Sequence, residues 1–313
     1  MLSAGNLFAM INYNDRKILE TKKYILSSVL PVYLLVPLYH VAGLNIPFAF
    51  GYSGESVDLS SGIKNIYKDI EMYGSAYTMT PPVVLNDFYK ELTRGNRDKL
   101  GNLRVIICGG AAFDHEFLDA FEASGIHILT AYGMSETNGI GCMSHLFEND
   151  SNRKLHSVGT FDEESTICII DDEICFKGGT VTKGYYNNKA ATDEAIDSEG
   201  WFHSGDLGYL DDEGYLFLTG RKKNLIILDS GENVIPEELE ALLAENELIK
   251  ECIVKERDKK VCAEIYCDNE AQDEVRSFVR DVNRKLVPYK RMTLVVFRET
   301  PFERTSLGKI KRV

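Results

Sequence analysis

LRVIICGG, residues 103–110, decides how the first half of this chain is read. Val105, Ile106, Ile107 and Cys108 form an apolar run too short for a buried helix, and two glycines close it. Such a run, rich in β-branched side chains and bounded by turn residues, reads as a strand buried on both faces. The pattern recurs in VYLLVP (32–37), AYTMT (76–80) and HILTAYG (127–133). Between these runs the spacing becomes helical. Residues 62–73 carry Ile63, Ile66, Tyr67 and Ile70; VVLNDFYKELTRG (83–95) stops at Gly95; a helix after Asp114 has Phe117, Leu118 and Phe121 on one face. Asp114 is the expected N-cap of that helix. Strand–helix alternation predicts a doubly wound parallel sheet of α/β class, whose ligands bind beyond the C-terminal strand ends. The turns at Gly109–Ala111 and Tyr132–Thr137 are therefore the first places to look for a site.

Beyond about residue 150 the pattern changes. STICII (165–170), DEICFKGG (172–179) and the pair LGYL/YLFLTG flanking Asp211–Gly214 read as a small antiparallel sheet or barrel. GRKKN (220–224) is a cationic cluster without apolar periodicity, as at a domain junction. PEELEALLAE (236–245) starts a helix with proline in its first turn. Two strands, a helix using Val275, Phe278, Val279, Val282 and Leu286, and TLVVF (293–297) complete a compact α+β module. The expected division is 1–150, 151–222 and 223–313.

The 313 residues carry 35 Lys+Arg against 48 Asp+Glu, a formal charge of −13, which disfavours general binding to nucleic acid or anionic membrane. The seven cysteines are odd in number and show no CxxC or Cys/His ligand spacing, so they read as reduced thiols rather than a disulfide frame or zinc site. With no cationic, cleavable leader in the sequence, a cytoplasmic location is the expectation. Residues 24–54 lack any charged side chain, but Pro31, Pro37 and Pro47 interrupt them. Lipid cannot replace the backbone bonds those prolines remove, so a buried strand and helix are expected there and no transmembrane segment.

VPLYHVAG (36–43), CGGAAF (108–113), AYGMSETNG (131–139), GGTVTKGYYNN (178–188), GWFHSGDLGYLDDEGYLFLTGRKKNLI (200–226), SGENVIPEELE (230–240) and RTSLGKIKR (304–312) stand in one order along the chain. That series resembles the adenylate-forming enzymes, nearest to their acyl-CoA synthetase branch, over essentially the whole sequence. The resemblance implies a ligase that uses ATP and Mg²⁺ to convert a carboxylic acid to an acyl-adenylate. Transfer of the acyl group to coenzyme A follows. Leu44, Phe48 and Phe50 near His40 suggest a fatty or otherwise apolar acid.

The resemblance also implies roles for single residues. Glu136 would bind the metal, with Ser135 contacting phosphate where threonine is commoner; otherwise this is a polar loop after a strand. Gly109, Gly110 and Ala111 would lie flat against adenine, with Tyr132 stacked on its other face beside Gly133; an aromatic at a strand end also serves as core. Asp206 would accept both ribose hydroxyls, with the alternative of a turn-terminating aspartate beside glycine. Arg221 would be the second ribose contact, or else surface charge. His40 would stand near the reacting acyl carbon, or be a satisfied core histidine. Lys223 falls at the hinge on which the C-terminal module rotates, and Gly231 would leave room in the coenzyme A tunnel. Lys309 would supply the catalytic cation, while Lys311 and Arg312 are expected to face solvent.

The family's Ser/Thr/Gly-rich loop ending in Pro-Lys-Gly has no counterpart in these 313 residues. The chain is therefore expected to read as truncated at its N-terminus and to adenylate poorly alone. Exposed sheet faces and edges then make a homo-oligomer the expectation. Two other readings are carried forward: a module handing its acyl group to a carrier protein, and a non-catalytic nucleotide-binding fragment.

Overall fold

In a computed structural model of the chain, the described residues are 1–27, 29–109, 115–139, 141–144, 154, 156–161, 165–229, 231–304 and 310–312, with only the backbone at 115 and 165. They fall into two compact units, residues 1–204 with 209–218, and residues 205–208 with 219–313.

The larger unit opens with α1 (Ala4–Tyr24), whose Ser3 cap accepts from the Asn6 amide at 3.2 Å. Next come β1 (Val32–Leu34), α2 (Val41–Tyr52), β2 (Val57–Leu59), α3 (Ile66–Tyr73), β3 (Tyr77–Thr80), α4 (Pro82–Thr93) and β4 (Val105–Gly109). Then follow α5 (His115–Ala123), β5 (His127–Tyr132) and the short β6 (Cys142–Met143). The strands lie in the order β2-β1-β3-β4-β5-β6; β1 to β5 are parallel and β6 is antiparallel.

Alternate side chains explain why helices cover both faces. Val32, Leu34, Val105, Ile107 and Leu129 point to one side and pack with Met10, Ile18, Ile46 and Phe50 of α1 and α2. Tyr33, Ile106, Cys108 and Ile128 point to the other and pack with Ile70, Leu85, Phe88 and Phe121 of α3 to α5. The expected doubly wound sheet is therefore present. The uncharged stretch is β1 and α2, as expected, with Pro47 inside the helix. It is not wholly core, because Leu44 and Phe48 remain exposed. No helix among the described residues is long and apolar enough to cross a membrane. The expected cap Asp114 lies outside the described residues.

A second sheet follows, built from β7 (Ser165–Ile170), β8 (Glu173–Gly178), β9 (Phe202–Leu210) and β10 (Leu216–Arg221), in the order β10-β9-β8-β7. Helix α6 (Lys189–Ala195) lies between β8 and β9 in sequence. The β7–β8 hairpin turns through Asp171 and Asp172 alone, both left-handed at φ 49° and 62°. A two-residue turn with positive φ at both positions matches the strands' right-handed twist, and aspartate is one of the few non-glycine residues that tolerate it. Ile167, Ile174, Phe176 and Phe202 form that unit's smaller apolar cluster with Tyr132 and Leu216.

The second unit contains the short antiparallel pair β11 (Ile226–Ile227) and β12 (Asn233–Val234), then α7 (Pro236–Ala244), β13 (Glu251–Arg257), β14 (Lys260–Tyr266), α8 (Gln272–Lys285) and β15 (Leu294–Arg298). Strand β14 pairs antiparallel with β13 and parallel with β15. Leu239, Leu243, Val254, Ile265, Val275 and Val279 form its core. Arg312 is not simply solvent-facing. It pairs with Glu240, approaches Glu237 at 3.5 Å and donates to the Val254 carbonyl at 3.3 Å, so Arg312 is fastened to α7 and β13.

Candidate nucleotide site

In the larger unit, the candidate residues cluster where the parallel strands end. Gly109 closes β4 and lies opposite Ala131 of β5. A Cβ built on it would stand 3.3 Å from the Ala131 carbonyl oxygen, so the strand end is flat because no side chain fits comfortably. Tyr132 closes β5, is largely buried, and meets Phe176 with ring centroids 5.9 Å apart. Its side chain therefore contributes to the core at the strand end. Gly110 and Ala111 lie outside the described residues.

The loop after β5 is held by contacts from distant parts of the chain. Ser135–Thr137 form one 3₁₀ turn, and Asn138 follows in a left-handed conformation at φ 55°. The Asn45 amide of α2 donates to the Asn138 carbonyl at 2.6 Å, and the Asn138 amide donates to the Asn6 carbonyl of α1 at 3.0 Å. The Glu136 carbonyl accepts from the Thr182 amide at 2.6 Å, and its carboxylate accepts from the Tyr185 hydroxyl at 3.0 Å. Burial first, then the neighbouring carboxylate, pushes the Tyr185 phenol up to about 12. It therefore stays a neutral donor to Glu136 at physiological pH.

Sequence reading missed Asn45, Asn138 and Tyr185 as supports. Their partners lie far away in the chain, and only the GYYNN segment marked Tyr185 at all. Two buried oxygens at these strand ends, Asn45 Oδ1 and Thr80 Oγ1, have no hydrogen-bond partner among the described residues.

His40 is partly buried at the start of α2, where its Nδ1 accepts from the Ala42 amide at 3.2 Å. The helix cap is a structural role for His40 that the sequence did not suggest. Its imidazole nitrogen does the work usually done by a serine or aspartate oxygen at that position.

In the second unit, Asp206 is 5% exposed, and its Oδ1 lies 2.7 Å from Arg221 Nε. Asp206 sits within β9 rather than in a turn. Gly205, at φ +72°, bends the strand just before it, and the tight turn comes later, at Asp211–Gly214. The Arg221 side chain is half exposed, which leaves guanidinium N–H groups facing outward. Lys223 is exposed in a 3₁₀ turn over Lys222–Asn224, and Asn224 holds Glu237 at 2.6 Å. Gly231 closes the β11–β12 turn at φ +94°, and a Cβ there would meet nothing within 4 Å. Conformation rather than space requires glycine at that turn. Lys309 lies outside the described residues.

Half-exposed, oxygen-bearing and held by a neutral phenol, Glu136 suits a hard cation such as Mg²⁺, which binds through one or two carboxylates and keeps several waters. The residues present therefore fit that ion.

A profile of the AMP-binding enzymes matches residues 1–186. A probable CoA ligase of Humulus lupulus is 31% identical over 302 residues, covering 88% of this chain and 54% of the relative. A 4-coumarate–CoA ligase of Vanilla planifolia is 30% identical over 306 residues, covering 89% and 54%. Among solved structures, the o-succinylbenzoate coenzyme A synthetase of Bacillus subtilis in complex with AMP superposes with a TM-score of 0.80. It is 23% identical and covers 98% of this chain and 64% of that one, a likeness of fold. The chain spans about half the length of the curated relatives it matches.

Proposed function

The chain belongs to the AMP-binding enzymes, and from that premise we propose that it is part of an ATP-dependent carboxylic acid–CoA ligase acting on an apolar acid. The observation that carries this reading is Asp206, a carboxylate almost wholly removed from solvent and paired with a half-exposed arginine. A carboxylate has two acceptor oxygens, enough for the two hydroxyls of a ribose. Arg221 both balances Asp206 and presents further donors.

In the proposed reaction Glu136 would hold Mg²⁺, which would supply charge neutralisation on phosphate oxygens. The Gly109 strand end admits the flat base. Lys309 brings a point charge to the carboxylate and the α-phosphate, where negative charge builds in the transition state. Lys223 acts as the hinge residue, and the Gly231 turn borders the pantetheine path. The apolar acid is suggested by exposed Leu44 and Phe48 beside His40. We further propose that these 313 residues adenylate poorly alone, since they contain no Ser/Thr/Gly-rich loop ending in Pro-Lys-Gly to wrap the β- and γ-phosphates.

The test separates the two half-reactions. Given a preformed acyl-adenylate and coenzyme A, the chain is expected to form thioester above the buffer rate, with ATP-dependent pyrophosphate release at background. AMP binding with thioester formation no faster than buffer would sink the ligase reading and leave a nucleotide-binding fragment. Thioester made on a carrier protein but not on coenzyme A would move the reading to a carrier-loading module.

A further inference from the structure

One face of the second sheet gathers ligand-bearing side chains that the nucleotide chemistry does not use. Glu173 and Cys175 stand two apart on β8, so they share one face, while Ile174 and Phe176 between and beyond them fill the apolar cluster on the other. His203 comes from β9 in the same unit. One oxygen of Glu173, the sulfur of Cys175 and one ring nitrogen of His203 all lie within 4.8 Å of one another.

Both Glu173 Oε2, at 3.1 Å, and Cys175 Sγ, at 3.4 Å, converge on the same atom, His203 Nδ1. A ring nitrogen has one lone pair or one hydrogen in its plane and serves one of these neighbours at a time, while Cys175 Sγ also donates to the Glu173 carbonyl at 3.7 Å. A cation at the meeting point satisfies all three. Tetrahedral zinc with its usual bond lengths sets sulfur and nitrogen about 3.6 Å apart, and nitrogen and oxygen about 3.3 Å apart. The spacings present are within a few tenths of an ångström of those edges. Glu173 is 3% exposed and Cys175 0%, whereas His203 is partly open, which leaves a fourth position for water.

A second feature points the same way. Asp197 Oδ2 lies 3.5 Å from His203 Nε2, the nitrogen away from the cluster. Asp197 itself is immobilised, because its Oδ1 accepts from the Glu199 and Trp201 amides, both at 2.9 Å. A carboxylate fixed behind the far nitrogen of a ligating histidine is the common support of metal-bound imidazoles.

We propose that Glu173, Cys175 and His203 bind one zinc-like divalent cation, with Asp197 as the positioning residue for His203. On binding, the Cys175 proton leaves to solvent and His203 keeps its hydrogen on Nε2, facing Asp197. Strands β8 and β9 and the turn preceding β9 are then joined at one point. Cys168, the register partner of Cys175 on β7, is not a ligand in this assignment. The proposal is independent of the ligase reading.

Cobalt titration of the metal-stripped full chain tests it. The expected result is one Co²⁺ per chain, with a thiolate-to-cobalt charge-transfer band and tetrahedral ligand-field bands that one equivalent of Zn²⁺ bleaches. Cys175→Ser should abolish the charge-transfer band, whereas Asp197→Asn should keep it and weaken binding about ten- to a hundredfold. Cys252→Ser, in the other unit, should change nothing. Absence of the band in the wild-type chain overturns the proposal without recourse to any variant, as does an octahedral spectrum from surface binding. Persistence of the band in Cys175→Ser, or its loss in Cys168→Ser, overturns the ligand assignment.

Discussion

Strand β9 carries two polar clusters only three residues apart in sequence, His203 with Glu173 and Cys175, and Asp206 with Arg221. Both centre on a carboxylate almost wholly removed from water. The second is legible in the sequence, because HSGDLG and GRKKN sit within a longer ordered series of motifs. The first is not. Its ligands obey no local spacing: Glu173 and Cys175 share a face through strand periodicity, and His203 joins them only because β9 lies beside β8. A linear motif exposes chemistry when the residues follow each other along one loop. Chemistry assembled across strands needs the pairing first.

The largest effect that would sharpen this contrast is on Asp206. Asp206→Ala removes a charged acceptor, and hydrogen bonds to charged groups are each worth about 1.5–3 kcal/mol. AMP affinity measured by calorimetry should fall tenfold or more, while the cobalt spectrum of the His203 cluster stays unchanged. Parallel loss of both signals would mean that the two clusters are one structural element and that the comparison fails.

Gly205 stands between the two clusters in sequence, at φ +72°, with nothing within 4 Å of the position a Cβ would take. Gly205→Ala therefore tests backbone strain without a clash. Left-handed backbone costs a non-glycine residue about 1 kcal/mol or more. An unfolding free energy in urea lowered by about that amount, with both clusters retained, is the expected result; no shift at all would show that the bend is not needed.

A third cluster supplies the smallest effect and the control. Glu91 is held by Lys99 at 2.6 Å, Asn96 at 2.8 Å and Arg94 at 3.0 Å, and Lys99 foremost lowers its carboxyl to about 2. The folded value lies below the ordinary value of about 4.3, so the stabilisation is present above that value and is lost as pH falls toward 2. Glu91→Gln should flatten the acid limb of the stability profile and leave AMP and metal binding untouched. An unchanged acid limb would count against the ion-pair assignment.

How much was legible follows from which side chains carry a periodic signal. Val105–Cys108 form an unbroken apolar run among helical segments, and that strand–helix succession made the doubly wound sheet legible; which of them face α1 and α2 and which α3 to α5 needed the fold. The Asp171–Asp172 turn was readable only as a break, since neither residue is the glycine that usually marks such a hairpin. His40 was ambiguous because a histidine cap leaves no pattern in an apolar stretch. Asp206 looked like a turn residue because Gly205 bends the strand beside it. Arg312 looked solvent-facing because its partners, Glu240 and Glu237, are about seventy residues away. Asn45 and Asn138, which brace the Glu136 loop, are likewise joined only by the fold.

Calorimetric titration of AMP into the wild-type chain and into Asp206→Ala tests the central claim most directly. The account predicts one AMP site per wild-type chain and a tenfold or greater loss of affinity in the variant, with the fold intact by circular dichroism. Equal affinity in the two proteins, or no AMP binding to the wild-type chain, would contradict it.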